Sequence, residues 1–162
     1  VRRELGFPAY VGSFPEGFLS QKTRVEKSFE VVTMWYVIEH FPHLEAAVKE
    51  VHRLLRSGGV FAFSTPNADG ISGRRSIKSF LENSPRDHHT VWTPRAAKRV
   101  LESFGFRVER IVSTGHHPER FPLVDSIREF TSRKGALFYF LSAISKIFAL
   151  GDTFELYARK ID

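Results

Sequence analysis

The chain has 162 residues, 42% of them hydrophobic and 26% charged, which is enough for one domain with a real core. It has no cysteine, which excludes a disulfide framework, a zinc–thiolate site and a cysteine nucleophile, and fits a cytoplasmic location. The net charge of +6 is scattered over single and paired Lys and Arg, with no block of five like charges, so a solvated basic surface is expected rather than nucleic-acid binding.

Residues 1–6 read as the last turns of a helix, with Gly6 at a left-handed cap, and residues 7–12 as a short strand ended by Gly12. Residues 13–28 contain Pro15, Gly17 and several charges and read as mostly loop. The only methionine is Met34 and the chain opens on Val1, so a longer natural chain or a processed product is expected.

Residues 29–35 form a nearly continuous apolar run around Val31, Val32 and Met34, the pattern of a parallel strand covered on both faces. After Pro42, a helix is predicted over residues 43–56, with Leu44, Ala47, Val48, Val51, Leu54 and Leu55 on one stripe. The opposite face carries Glu45, Lys49, Glu50 and Arg53. Ser57-Gly58-Gly59 reads as a stop and turn, followed by an apolar strand over 60–64 that Pro66 ends.

Residues 68–89 read as a long irregular segment with one short helix around 77–81. Thr93-Pro94 starts a helix with a hydroxyl cap and a proline in its first turn, and Gly105 closes it. Residues 106–113 and 153–160 alternate as strands, the second with Phe154, Leu156 and Ala158 on one side. Between them, residues 115–151 form an insertion with helical stretches at 121–133 and 136–150. The second stretch is interrupted by Ser142, Ser145 and Lys146 and is too short to span a bilayer. It suits a helix packed on the sheet or in a dimer, a substrate lid, or a membrane-surface face.

This order is half of a doubly wound α/β sheet, and ligands bind such sheets at the carboxyl ends of the strands. Met34, Trp35 and Tyr36 stand at such an end and are candidate site residues. Glu39 and His40 follow, with two readings. They are an acid–base pair, or Glu39 tethers the next helix and His40 packs as a satisfied histidine, the reading their position favours. Asp87-His88-His89 and His116-His117 are poor chelates, because adjacent side chains on an extended segment point in opposite directions. One carboxylate and one imidazole do not make a hard-cation cage, so no metal is expected.

Glu39-His40, Leu54-Leu55 with Gly58-Gly59, Ser64-Thr65-Pro66-Asn67 and Gly105-Phe106 together resemble the class I S-adenosylmethionine-dependent methyltransferases from their fourth strand onward. The likeness is to the ubiquinone-biosynthesis O-methyltransferases and the small methyltransferases of glycan gene clusters, and it covers nearly the whole chain. It implies a Rossmann-like sheet, incomplete at the N-terminus, with a helical insertion before the last strand, in one partial domain over 1–162. It implies S-adenosylmethionine as cofactor, with Ser13 and Phe14 near the adenine and Met34, Trp35 and Tyr36 near its methionine end. Trp35, Tyr36 and His89 would face a small-molecule, lipid or glycan acceptor, and His40 would be the catalytic candidate.

The sequence departs from that family at three places. It contains neither the glycine-rich cofactor loop nor the acidic residue that holds the ribose, so weak cofactor binding by this chain is expected. Ser13 replaces an aspartate that often follows glycine there. Tyr36 stands where some quinone O-methyltransferases have a second glutamate. Without the first two strands of the fold, residues 7–12 would lack a neighbour, so either a further N-terminal part or a homo-oligomer, through an exposed sheet edge or the 136–150 helix, is expected. A non-catalytic remnant or interaction module is the alternative function.

Overall fold

The computed structural model describes Gly6, residues 12–15 and 29–122, Val124, and residues 135–161. The expected strand at 7–12, apart from Gly12, and most of the expected helix at 121–133 lie outside these residues.

Among the described residues, four strands form one sheet in the order β1-β2-β4-β3. β1 (Phe29–Trp35) pairs parallel with β2 (Leu55–Pro66), and β4 (Thr153–Lys160) runs antiparallel between β2 and β3 (Phe106–Thr114). The parallel pair is joined by helix α1 (Leu44–Leu54), the crossover that such pairing requires. α1 carries the predicted stripe, with Ala47, Val48, Val51 and Leu54 buried. Glu50, expected on the solvated face, is also buried, and Arg53 meets its carboxylate with two hydrogen bonds, so its charge is compensated.

The Ser57-Gly58-Gly59 turn does not precede the strand, as its composition suggests, but lies inside it. β2 begins at Leu55, opposite Phe29, and the next pair is Val31 with Val60. Residues 56–59 therefore bulge out of the ladder opposite the single residue Glu30. Gly58 takes φ +69°, a conformation that costs a side-chain-bearing residue but not glycine.

Beyond β2 come two short helices, α2 (Ile71–Arg75) and α3 (Ile77–Glu82), where the sequence predicts one. α4 (Pro94–Ser103) starts as read: Thr93 Oγ1 accepts from the Ala96 amide at 3.1 Å, and Gly105 turns the chain at φ +79°. α5 (Ala136–Ile147) is the described helix of the insertion.

The core lies on one side of the sheet. Phe61 and Phe63 of β2, Phe154, Leu156 and Ala158 of β4, and Phe106 of β3 pack with Val48, Val51, Ala97 and Leu101 of α1 and α4. Burial of phenylalanines of this kind contributes about 2–3 kcal/mol each in area terms. On the opposite side, Trp35 is exposed, and Tyr157 is half-buried beside it.

Candidate functional site

The carboxyl ends of β1 and β2 lie side by side because these strands are parallel, and the chain leaves both there. β1 alternates: Met34 turns into the core, whereas Trp35 is 46% exposed and Tyr36 53% exposed at the strand end. Tyr36 adopts φ +54°, uncommon for a non-glycine residue, and its amide donates to Ser64 O at 3.0 Å. A strained residue at such a place is a pointer to function. Trp35 sets its ring edge-on to Tyr157, with centroids 6.4 Å apart. The Tyr157 hydroxyl donates to Glu155 at 2.6 Å, and that hydrogen bond holds its pKa above the ordinary value. Between them, Ser64 Oγ is buried with no hydrogen-bond partner among the described residues.

A short 3-10 turn, Ile38–His40, then reverses the chain. Ile38 is buried and anchors it. Glu39 is 1% exposed and accepts a hydrogen bond from Thr65 Oγ1 at 3.0 Å, which ties the turn to the end of β2. Its backbone carbonyl accepts from the amides of His89 at 2.8 Å and Thr90 at 3.3 Å, so the loop before α4 docks on this turn. His88 faces His40, edge to face at 4.7 Å, whereas the side chain of His89 is exposed. His40 Nδ1 also lies 3.1 Å from Asp87 Oδ2.

Two cavities open beside the cluster. One of about 290 Å³ is lined by Thr65, Phe80, Leu81, Arg86, His88 and Trp92. The other, about 610 Å³, shares Phe80 and His88 and extends to Arg75, Ser76 and Arg120. Its far wall is held by Asp152, a buried carboxylate at the start of β4. Asp152 accepts from the Ser72 amide at 2.8 Å, from Ser72 Oγ at 2.6 Å and from Arg120 Nη1 at 2.6 Å. One residue thus joins α2, the start of the insertion and β4.

The structure brings Tyr36, Glu39 and His40 to one end of the sheet, and Phe14 joins them by packing its ring 5.8 Å from that of Phe41. Ser13, next to Phe14, is exposed. His88, Asp87 and Thr65 enter the same site, and the sequence reading gave none of them a role there. The signal was a polar Asp87-His88-His89 triplet just ahead of a well-capped helix. His116 and His117 do part company as expected: His116 Nδ1 is 2.7 Å from Ser145 Oγ, and His117 meets Glu119 at 2.9 Å.

The chain belongs to the methyltransferase domain family, whose model matches residues 9–111. A ubiquinone biosynthesis O-methyltransferase from Coxiella burnetii is 26% identical over 102 residues, 59% of this chain and 44% of that protein. One from Psychrobacter arcticus is 28% identical over 96 residues, 56% of this chain and 37% of that protein. The matched stretch is thus less than half the length of these curated relatives. Among solved structures, a SAM-dependent methyltransferase from Archaeoglobus fulgidus aligns with TM-score 0.55 and 17% identity, over 84% of this chain and 61% of that one. A phosphoethanolamine N-methyltransferase from Haemonchus contortus, solved with S-adenosyl-L-methionine, aligns with TM-score 0.52 and 15% identity, over 85% of this chain and 34% of that one. The fold is therefore the Rossmann-like α/β fold of class I methyltransferases, and S-adenosylmethionine is the family's cofactor.

Proposed function

We propose that this chain carries the acceptor side of an S-adenosylmethionine-dependent methyltransferase and that the group methylated is a hydroxyl on a small-molecule, lipid or glycan acceptor. The observation that carries the reading is the Glu39-His40 turn, set against the exposed Trp35-Tyr36 strand end and beside a cavity. The acceptor oxygen attacks the methyl carbon, the carbon–sulfur bond breaks and S-adenosylhomocysteine leaves. The hydroxyl proton goes to His40 Nε2. Asp87 beside Nδ1 favours the tautomer that leaves Nε2 free to accept it. In-line positioning supplies most of the remaining rate.

In this reading Ser13 and Phe14 approach the adenine, Met34, Trp35 and Tyr36 border the methionine end, and Trp35, Tyr36 and His89 meet the acceptor. Residues 1–162 act as one partial domain in the cytoplasm. The insertion over 115–151 selects the acceptor. No helix among the described residues is long and apolar enough to cross a membrane. The test is transfer of a labelled methyl group from S-adenosylmethionine by the product of the natural gene. His40→Ala is expected to lower turnover about 100-fold, in the range of lost general-base catalysis. Unchanged turnover in that variant would remove His40 from the mechanism.

A second reading, a non-catalytic remnant or interaction module, draws on the open edge of β1, where Phe29 and Val31 are exposed. It is favoured if the natural gene encodes no glycine-rich loop ahead of Val1. The same edge and α5 are the two surfaces through which a homo-oligomer would form.

A further inference from the structure

The larger cavity beside the site, about 610 Å³, is walled by cations and proton donors. Arg75, Arg120, Ser76, Ser79 and His88 line it, and among the described residues no carboxylate does. Asp152 lies outside this lining, and it meets Arg120 at Nη1, at 2.6 Å. The same nitrogen donates to Ser72 Oγ at 2.8 Å. The guanidinium is therefore pinned at one nitrogen, while Nη2 and Nε make no hydrogen bond to a described residue. Arg75 Nη1 lies 3.5 Å from Arg120 O, which sets the two arginines side by side. Ser76 Oγ accepts from the Ser79 amide at 3.1 Å, and Ser79 Oγ accepts from Asn83 Nδ2 at 3.2 Å. Each hydroxyl is the acceptor in its bond, so each keeps a proton to donate.

A wall of this kind selects an anion. Its shape follows from where the donors come from. α2 supplies Arg75, α3 supplies Ser79, and the turn at 118–120 supplies Arg120. One arginine fork satisfies a planar carboxylate, whereas a phosphate ester offers three strong acceptor oxygens to donors on several sides. We propose that this cavity is a subsite for a phosphate monoester and, resting on the methyl-transfer reading, that the methyl acceptor carries that phosphate.

His88 joins the subsite to the reacting end. Its ring lies 4.7 Å from that of His40, and it lines both cavities together with Phe80. A phosphate on Arg75 and Arg120 leaves the body of the acceptor against Phe80, with its hydroxyl reaching past His88 toward His40. The subsite makes no use of His40, whose Nε2 keeps its role as proton acceptor.

The experiment is a calorimetric titration of the 162-residue chain with phenyl phosphate and, separately, with inorganic phosphate, benzoate and phenol, with no S-adenosylmethionine present. One equivalent of phenyl phosphate is expected to bind with Kd below about 1 mM, and phenol and benzoate at least about 10-fold more weakly. Inorganic phosphate is expected to compete for the same site but to bind more weakly, because it lacks a ring to set against Phe80. Arg75→Gln is expected to weaken phenyl phosphate about 10-fold and Ser79→Ala about 3-fold. Arg99→Gln, at an exposed arginine of α4 that lines neither cavity, is expected to change nothing, which separates the subsite from the basic surface as a whole. Arg75 and Ser79 are exposed, so neither replacement opens the core, and circular dichroism confirms that each variant is folded. No binding of phenyl phosphate at about 10 mM, equal binding of phenol or benzoate, or unchanged binding in both Arg75→Gln and Ser79→Ala overturns the subsite. Inorganic phosphate binding as tightly as phenyl phosphate overturns the assignment to an acceptor. Because binding is read without methyl transfer, its failure leaves the methyltransferase reading standing, and a chain that binds phenyl phosphate while its natural gene product transfers no methyl group fails that reading alone.

Discussion

Lys160 shows how one residue closes the end of an element. Its ammonium, in a buried side chain at the end of β4, donates to the carbonyls of His52 at 2.8 Å and Leu55 at 3.0 Å, where α1 runs out of partners for its last carbonyls. Lys160→Met keeps the apolar stem but leaves both acceptors dry. Chemical denaturation is expected to show a loss of about 1–3 kcal/mol. A loss below about 0.5 kcal/mol would mean that water replaces the ammonium there. Glu109 works differently, at the surface. Hydrogen bonds from Arg159, at 2.7 and 3.0 Å, and then from Arg107 at 3.2 Å hold its carboxyl down to about 2, from an ordinary value of 4.5. A carboxyl depressed in the folded state adds stability above 4.5 that fades as pH falls from 4.5 to about 2. Solvent screens this exposed group, so the contribution is small and weaker in salt. A carboxyl NMR titration should place the midpoint near 2 and move it toward the ordinary value in Arg159→Gln; an ordinary midpoint in the unmutated chain would contradict the pairing.

At the scale of elements, the strands and long helices were legible because each is patterned for burial. β1, α1, α4 and β4 all lie where apolar periodicity, the Thr93-Pro94 cap and the Gly105 stop put them. The 56–59 bulge was not legible. Its glycines read as a turn between elements, and only the pairing of Phe29 with Leu55 shows that β2 starts before them. The site was half legible for a similar reason. Trp35, Tyr36, Glu39 and His40 are local to one strand end, whereas His88 is brought there by the amides of the next two residues, His89 and Thr90, which donate to Glu39 O and leave no mark in the sequence. α5 reverses the usual order of a surface helix. Its Ser145 is buried on His116, while Phe140 is 61% exposed and Ile147 76% exposed. The His116–Ser145 contact is thus a polar anchor for an apolar helix. His116→Ala is expected to raise hydrogen exchange over residues 136–147 at least about 10-fold, about 1.4 kcal/mol of local stability, and to leave the sheet unchanged. Unchanged exchange would mean that apolar contacts hold α5 without this anchor.

For the whole molecule, β1 is the informative edge. Its sequence is that of a strand covered on both faces, yet Phe29, Val31 and Trp35 are exposed and its outer side pairs with no described strand. A free apolar edge invites a partner. If the proposed methyl transfer holds, that partner would be a glycine-rich half of the same fold, which would complete a cofactor cradle beside Trp35 and Tyr36. The most direct measurement is a calorimetric titration of S-adenosylhomocysteine into the 162-residue chain and into the product of its natural gene. The expected result is a Kd weaker than about 1 mM for the chain alone and, for the gene product, a micromolar Kd that Trp35→Ala weakens about 10-fold or more. Micromolar binding by the chain alone, or binding by the gene product that is indifferent to Trp35→Ala, would contradict it.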